Sequence, residues 1–283
     1  LISGPLRGKR AKKRVRMMWL IYVAVVFLSA VSTAVVLMLR RRVLRNVDLL
    51  TVPVRKPRHI AFIMDGNRRY GEAALGHKLE GHRAGGEKLG EVVEWCLEAG
   101  IDQVTCFAFS TENWKRDSTE IECLKSLFCD RCESIKEKSH ALGIRVRVLC
   151  TDARRFPEKV SNALKSLVEE TASYDRLHLN LAVSYGARGE IVQAARSVAK
   201  AAQKGLIDPD QLDERSFQSF LQLESEPDLL VRTSGERRIS NFLLWQLAYT
   251  ELVFVDKLWP ALDKTDFAHC LRTFADRSRR FGT

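Results

Sequence analysis

The chain has 283 residues, with 46 Lys and Arg against 35 Asp and Glu, a formal net charge of +11. That charge is unevenly placed: residues 1–58 hold fourteen bases and one acid, Asp48, whereas the remainder holds thirty-two bases and thirty-four acids. The folded part is thus slightly acidic, which speaks against nucleic acid as a partner, because that needs a basic face on the domain itself.

The seven cysteines, odd in number and scattered, argue against a disulfide framework and for a reducing compartment. Cys129-x-x-Cys132 resembles half a zinc site, but it has no second pair and falls inside a helical pattern. The chain opens on Leu1 and not Met, so its ends are left open.

After a basic tail over 1–16 come 23 uncharged residues, Met17 to Leu39. As a helix they would reach about 35 Å, against a hydrocarbon core of about 30 Å, which predicts one transmembrane helix over 17–39. A cleaved signal peptide fits less well, since the run is long and Arg40-Arg41-Arg42 follows it directly. Basic residues crowd both flanks, which leaves orientation open and favours contact with anionic membrane lipid. Residues 40–58, with Pro53 and Pro57, read as a basic linker.

From His59 the chain alternates. Apolar strand-like runs lie at 60–64, 103–109, 144–150, 177–183, 228–231 and 251–255. Helical patterns lie near 85–99, 119–141, 157–172, 187–204, 211–222, 240–247 and 263–280. This order predicts a single α/β domain over 59–283, with a central, mostly parallel six-stranded sheet flanked by helices.

In such sheets ligands bind beyond the carboxyl ends of the strands, and the unusual residues cluster there. "MDGNRR" follows the first strand, "FSTENWKR" the second, "SYGARGE" the fourth and "RTSGERRIS" the fifth. These loops supply Arg68, Arg69, Arg116, Arg188, Arg232, Arg237 and Arg238, with Asp65, Glu112 and Glu236 as the acids among them. Guanidinium groups hold phosphate oxygens by paired hydrogen bonds, and backbone amides at helix starts assist. The loops therefore read as a polyanion site, most economically for one or two diphosphates. Any single arginine among them is equally well a surface residue. A lone Asp65 suits Mg²⁺ that is also held by a diphosphate, because Mg²⁺ takes one or two carboxylates plus substrate phosphates. The plainer reading of Asp65 is a cap on the helix that follows.

These segments are recognisable. "HIAFIMDGNRRY", "GHRAG", "FAFSTENWKR", "SYGARGEI" and "VRTSGERRISNFLLWQLAYTELVF" resemble, in order and spacing, the signature segments of the cis-prenyltransferases, the undecaprenyl and dehydrodolichyl diphosphate synthases. The resemblance covers about 59–282. It implies a Mg²⁺-dependent prenyltransferase that condenses isopentenyl diphosphate onto an allylic diphosphate, farnesyl diphosphate, to give a long polycis-polyprenyl diphosphate. That product would be the precursor of a dolichol-type glycosyl carrier lipid used in protein glycosylation.

Residue by residue, the resemblance places the allylic diphosphate at Gly66, Arg68, Arg69, His82 and Arg188. It gives Asp65 and Asn67 catalytic roles, together with Ser110 and Asn113. Isopentenyl diphosphate falls to Arg232, Arg238 and Ser240, and Mg²⁺ to Asp65 and Glu251. Glu112, Trp114 and Arg116 belong to the loop that orders over the substrates. Leu89, Val93, Leu124, Leu127 and Phe128 would wall a tunnel for the growing chain, although core packing explains each of them as well.

Spacing between "EIECLKSLF" and "IRVRVL" resembles medium-chain bacterial enzymes. A product of about eleven isoprene units would bury roughly 4 kcal/mol per unit, beyond the practical ceiling of about 20 kcal/mol for a ligand, so its tail must leave the protein. The tail Arg280-Phe281-Gly282 resembles the Arg-x-Gly ending of homodimeric members and implies a homodimer. Together with the apolar segment, the resemblance implies a single-pass protein of the endoplasmic reticulum with a cytosol-facing catalytic domain. Glu72 and Ala73 depart from the basic residues common at these positions, with Lys78 as a compensating charge. A non-catalytic accessory subunit of the same fold is the rival reading; the intact Asp65, Arg69, Arg232 and Arg238 speak against it.

Overall fold

In a computed structural model that describes residues 55–277, the apolar run beginning at His59 forms strand β1, His59–Ile63, buried along its whole length. A parallel strand with helices on both faces has no solvent side, so it tolerates an unbroken apolar stretch. The remaining strands are β2, Gln103–Ser110; β3, Ile144–Leu149; β4, Leu177–Tyr185; β5, Leu229–Arg232; and β6, Glu251–Phe254. They form one sheet in the order β3-β4-β2-β1-β5-β6, with every pairing parallel. The helices are α1, Asn67–Leu75; α2, Glu80–Glu98; α3, Ser118–Leu142; α4, Glu158–Glu170; α5, Ala187–Gln203; α6, Glu214–Gln218; and α7, Lys264–Asp276.

Side chains of β1 alternate between two packed layers. Ala61 and Ile63 face a cluster with Tyr185, Phe242 and Leu243. On the other layer Phe62 meets Trp259, ring centroids 5.8 Å apart, and Trp95 meets Phe267 at 6.0 Å. Each such side chain contributes roughly 1.5–3 kcal/mol when fully buried. After β1 the chain lays β2 beside it, passes to β3 at the edge and fills the gap with β4, then crosses back to lay β5 against the free side of β1. The carboxyl ends of β1 and β5 thus flank the point where the winding reverses, the place where open α/β sheets bind ligands.

Three local features differ from the periodicity. Helix α1 has no apolar stripe, and its single buried residue is Gly71. It settles on α2 through glycine, since a Cβ on Gly81 would stand 1.9 Å from the Asn67 carbonyl oxygen. The expected helix over 211–222 shortens to the five residues of α6. The expected helix over 240–247 does not form: Ser240, Asn241 and Leu243 take positive φ of 49°, 61° and 43°, which a right-handed helix cannot accommodate.

The transmembrane expectation requires correction. Among the described residues no helix is long and apolar enough to cross a membrane. Even α3, with 25 residues, carries nine charged side chains, and a charge at the bilayer centre is costly. The stretch 17–39, on which the span was read, lies outside the described residues, as do the Arg280-Phe281-Gly282 tail and most of the linker. The placement as a single-pass membrane protein of the endoplasmic reticulum, and the membrane lipid contact with it, loses its structural footing.

Candidate functional site

β1 ends at Ile63, and Met64 and Asp65 continue over the sheet edge. Arg232, the last residue of β5, is 3 % exposed and donates from Nη2 to Asp65 Oδ2 across 2.8 Å. Its Nη1 donates to Ser240 Oγ at 2.7 Å and to the Arg238 carbonyl, while its buried Nε has no partner among the described residues. Arg69 approaches the other oxygen, Asp65 Oδ1, at 3.7 Å. Burial pushes the Asp65 carboxyl up, but the hydrogen bond and charge of Arg232, with the charge of Arg69, hold it below the usual carboxylate range. Asp65 is therefore an anion held among cations and not a helix cap. Helix α1 has no side-chain cap at all; Gly66 occupies that position with φ 106°. A Cβ on Gly66 would also lie 2.8 Å from a Leu258 methyl. The uncapped start of α1 opens on the site, an arrangement that favours anions.

A second carboxylate organises the opposite wall. Glu120, in the first turn of α3, is 2 % exposed and sits within 2.9 Å of Arg116, 3.1 Å of His82 and 3.7 Å of Arg68. Burial pushes the His82 imidazole down, with Arg116 and Arg68 adding to the effect and Glu120 opposing it. The loop after β2 forms a short 3-10 turn, Thr111–Lys115, whose start is fixed by the Ser110 amide donating to Asn113 Oδ1 at 3.0 Å. Trp114 donates to Ser184 Oγ at 2.8 Å and packs edge-on against Phe109. Glu112 accepts from Asn241 Nδ2 at 2.9 Å. Burial pushes the Glu112 carboxyl up, but this bond and other nearby donors hold it lower than usual.

Asp65, Gly66, Asn67, Arg68, Arg69, His82, Ser110, Glu112, Asn113, Arg116, Arg232 and Ser240 thus line one cavity of about 760 Å³, together with Glu72. Trp114 lies behind the wall. Arg188 is exposed at the start of α5, and Arg238 is exposed and paired with Glu236. Glu251 is not brought near in this chain. It begins β6 level with Leu229 and Ile60, and is bound to Arg277 at 2.9 Å. Ile63 at the far end of β1 is three positions on from Ile60, about 10 Å at roughly 3.3 Å per residue, and Asp65 lies beyond it in the turn that follows.

Beneath the polar mouth the lining turns apolar. A narrower space of about 100 Å³, walled by Leu89, Leu124, Leu127 and Phe128, shares Met64, His82 and Leu124 with the mouth. A third space of about 320 Å³ follows between α2 and α3, where Val93 joins Leu89. A charged mouth opening into an apolar passage suits an amphiphile with an anionic head.

The sequence reading passed over three contributors. Thr233 clamps Asp65 from both sides, accepting from its amide at 3.1 Å and donating to its carbonyl at 2.7 Å. Asn241 joins three loops: beyond Glu112, its Oδ1 accepts from the Arg188 amide at 2.9 Å and its carbonyl from the Ala187 amide at 2.8 Å. Glu120 looks in sequence like an exposed first-turn acid. Only Asn241 carried a signal, since Asn tolerates the left-handed backbone that this loop needs.

Among the described residues no three His, Cys, Asp or Glu side chains stand close enough to hold a metal ion by themselves. The donor set, one carboxylate amid guanidinium groups and amides, instead fits Mg²⁺ that is also held by diphosphate oxygens. Asp65 is the residue that would contact it.

With this geometry in place, comparisons with known proteins become specific. A prenyltransferase family model, described as "Putative undecaprenyl diphosphate synthase", matches residues 63–282. A tritrans,polycis-undecaprenyl-diphosphate synthase (geranylgeranyl-diphosphate specific) of Thermococcus kodakarensis is 42% identical over 230 residues, 80% of this chain and 87% of that protein. A ditrans,polycis-undecaprenyl-diphosphate synthase ((2E,6E)-farnesyl-diphosphate specific) of Xanthomonas axonopodis is 42% identical over 228 residues, 80% and 88%. The crystal structure of lavandulyl diphosphate synthase from Lavandula x intermedia, in complex with dimethylallyl diphosphate, superposes with a TM-score of 0.77 at 33% identity, covering 81% of this chain and 99% of that one. An archaeal and a bacterial relative lend no support to the endoplasmic-reticulum placement. Motif order, site geometry and these matches agree: the chain belongs to the cis-prenyltransferase family.

Proposed function

We propose that the protein lengthens an allylic diphosphate by repeated addition of isopentenyl diphosphate, giving a long polycis-polyprenyl diphosphate of the glycosyl-carrier type. The observation that carries this reading is the joining of Asp65 and Arg232 at a polar mouth that continues into an apolar passage. The uncapped start of α1 with Arg68 and Arg69 grips the allylic diphosphate. Arg232 and Ser240, with Arg238 at the rim, hold the isopentenyl diphosphate alongside.

Asp65 would hold Mg²⁺, which would supply positive charge against the departing diphosphate. The guanidinium groups of Arg68 and Arg69 stabilise the same developing charge from the protein side. The allylic carbon–oxygen bond breaks, the isopentenyl double bond supplies the electrons of the new carbon–carbon bond, and one proton leaves to form the cis double bond. Glu120 holds Arg68, Arg116 and His82 in place, so that the mouth is ordered before substrate arrives. Farnesyl diphosphate is the primer we assign. A homodimer is the assembly we assign, since Glu251 lies too far from Asp65 to serve the same chain's site.

The test incubates purified full-length protein with Mg²⁺, farnesyl diphosphate and labelled isopentenyl diphosphate, and sizes the extracted lipids. Label in long polyprenyl products, lost with Asp65→Ala and with a chelator and restored by added Mg²⁺, supports the reading. Full incorporation in the Asp65→Ala protein would overturn it. Sedimentation of the same protein as a monomer at catalytic concentration would overturn the homodimer.

A further inference from the structure

Among the residues walling the narrow space, Arg131 is the one that carries a fixed charge; the space beyond it also meets Glu87, Glu91 and Lys138. Arg131, on α3, lines both the narrow 100 Å³ space and the 320 Å³ space beyond it. Its side chain lies flat across α2, because the residue opposite is Gly86; a Cβ there would come within 2.7 Å of Arg131 Nε. Arg131 Nη2 donates to the Arg83 carbonyl at 3.1 Å and to Glu87 Oε1 at 3.3 Å. Its Nε is buried and has no partner among the described residues. The side chain is 22 % exposed, so water is within reach on its outer side.

From this we infer that Arg131 is a gate across the passage, selecting the length of the allylic primer that enters without resistance. Leu124 lines both the mouth and the narrow space, and Arg131 lies seven positions on, about 10 Å down the helix axis. An isoprene unit adds four chain bonds of about 1.5 Å, or roughly 4–5 Å once bond angles are counted. A tail of two units therefore stops short of the guanidinium, a third reaches it, and a fourth has to displace it. Sliding hydrocarbon over a charged group strips that group of its partners, which is unfavourable unless it swings out to water. Glu87 holds it shut. Overall identity does not decide the primer, because relatives specific for farnesyl and for geranylgeranyl diphosphate match this chain equally well.

This inference rests on the proposed chain-lengthening activity. The experiment measures kcat and KM for the first addition of isopentenyl diphosphate to geranyl, farnesyl and geranylgeranyl diphosphate. Full-length wild type is compared with Arg131→Leu and Glu87→Gln. The gate predicts that Arg131→Leu raises the geranylgeranyl-to-geranyl ratio of kcat/KM by about tenfold, through KM, the scale at which apolar pockets discriminate chain length. Geranyl diphosphate itself should be used as before. Glu87→Gln, which only loosens the latch, should move the ratio the same way by less. An unchanged ratio, or an equal loss with all three primers, overturns the gate and marks Arg131 as a structural strut. A wild type that elongates none of the primers refutes the proposed function, and the gate falls with it.

Discussion

Arg232 Nη2 donates to Asp65 Oδ2 across 2.8 Å and so ties the carboxyl end of β5 to that of β1. On the proposed function, the carboxylate assigned to catalysis and the arginine assigned to isopentenyl diphosphate share one hydrogen bond, so the two are mechanically a single unit. Removing the charge but not the shape of Asp65 should separate chemistry from binding. Asp65→Asn is expected to lower kcat by roughly 10²–10³-fold, the loss typical of removing one group that stabilises a developing charge. KM for farnesyl diphosphate should stay within a few-fold. Steady-state kinetics with a labelled isopentenyl substrate decide this, and a large rise in KM at unchanged kcat would assign Asp65 to binding.

Asn241 tests the idea that the mouth is knotted at one residue. Its side chain bonds Glu112 and the Arg188 amide while its backbone holds φ 61°. Asn241→Ala loses both bonds and must strain its backbone, whereas Asn241→Gly loses the bonds alone. The glycine variant should be more stable than the alanine variant by about 1 kcal/mol in urea unfolding, the cost of the left-handed region for a residue with a Cβ. Both should raise KM for the allylic diphosphate.

Glycine contacts predict opposite outcomes at two helical positions. Gly81→Ala would drive a methyl to 1.9 Å from the Asn67 carbonyl oxygen, so α1 must shift; a loss of about 3 kcal/mol or more is expected. Gly189→Ala, inside α5, meets nothing closer than Thr151 at 3.5 Å. It should be neutral or stabilising by up to about 1 kcal/mol, since alanine favours a helix more than glycine does. Thermal denaturation of the two variants reads both signs.

His59 predicts how stability responds to acid. It is buried between strands, with Nε2 2.7 Å from Thr105 Oγ1, and burial pushes its imidazole down to about 4. Above the unfolded value of about 6.5 it is neutral in both states and contributes no slope. As pH falls from 6.5 to 4 only the unfolded chain takes the proton, so stability drops by about 3 kcal/mol across that window and levels off below it. The carboxyl of Asp65, held low, adds its own loss only below the ordinary carboxylate range. Denaturant unfolding between pH 4 and 7 should show this slope in wild type and a flatter one in His59→Gln. Equal slopes would discard the assignment.

Much of the architecture was legible because buried parallel strands are nearly pure apolar runs: all six were placed within two residues of their observed ends. The cavity could be read for a related reason, since polar residues at strand ends have no role in a core. The missing pieces share a cause, which is that tertiary contacts overrode local pattern. Helix α1 has no stripe to detect and is held by glycine against α2. Residues 240–247 look helical in composition, yet Arg232 and the loop amides draw Ser240 and Asn241 into a left-handed turn. Glu120 looks like a surface acid until three cations from other elements close around it. The transmembrane reading relied on a segment with no counterpart among the described helices.

Asp65 and Arg232 are separated by 167 positions in the chain, and this has a consequence for biosynthesis. β1, β2, β3 and β4 can pair before β5 leaves the ribosome, but half of the diphosphate grip does not yet exist. Contacts this remote in sequence form late, because the loop entropy must be met first. On the proposed function, competence for substrate therefore arrives together with closure of the sheet.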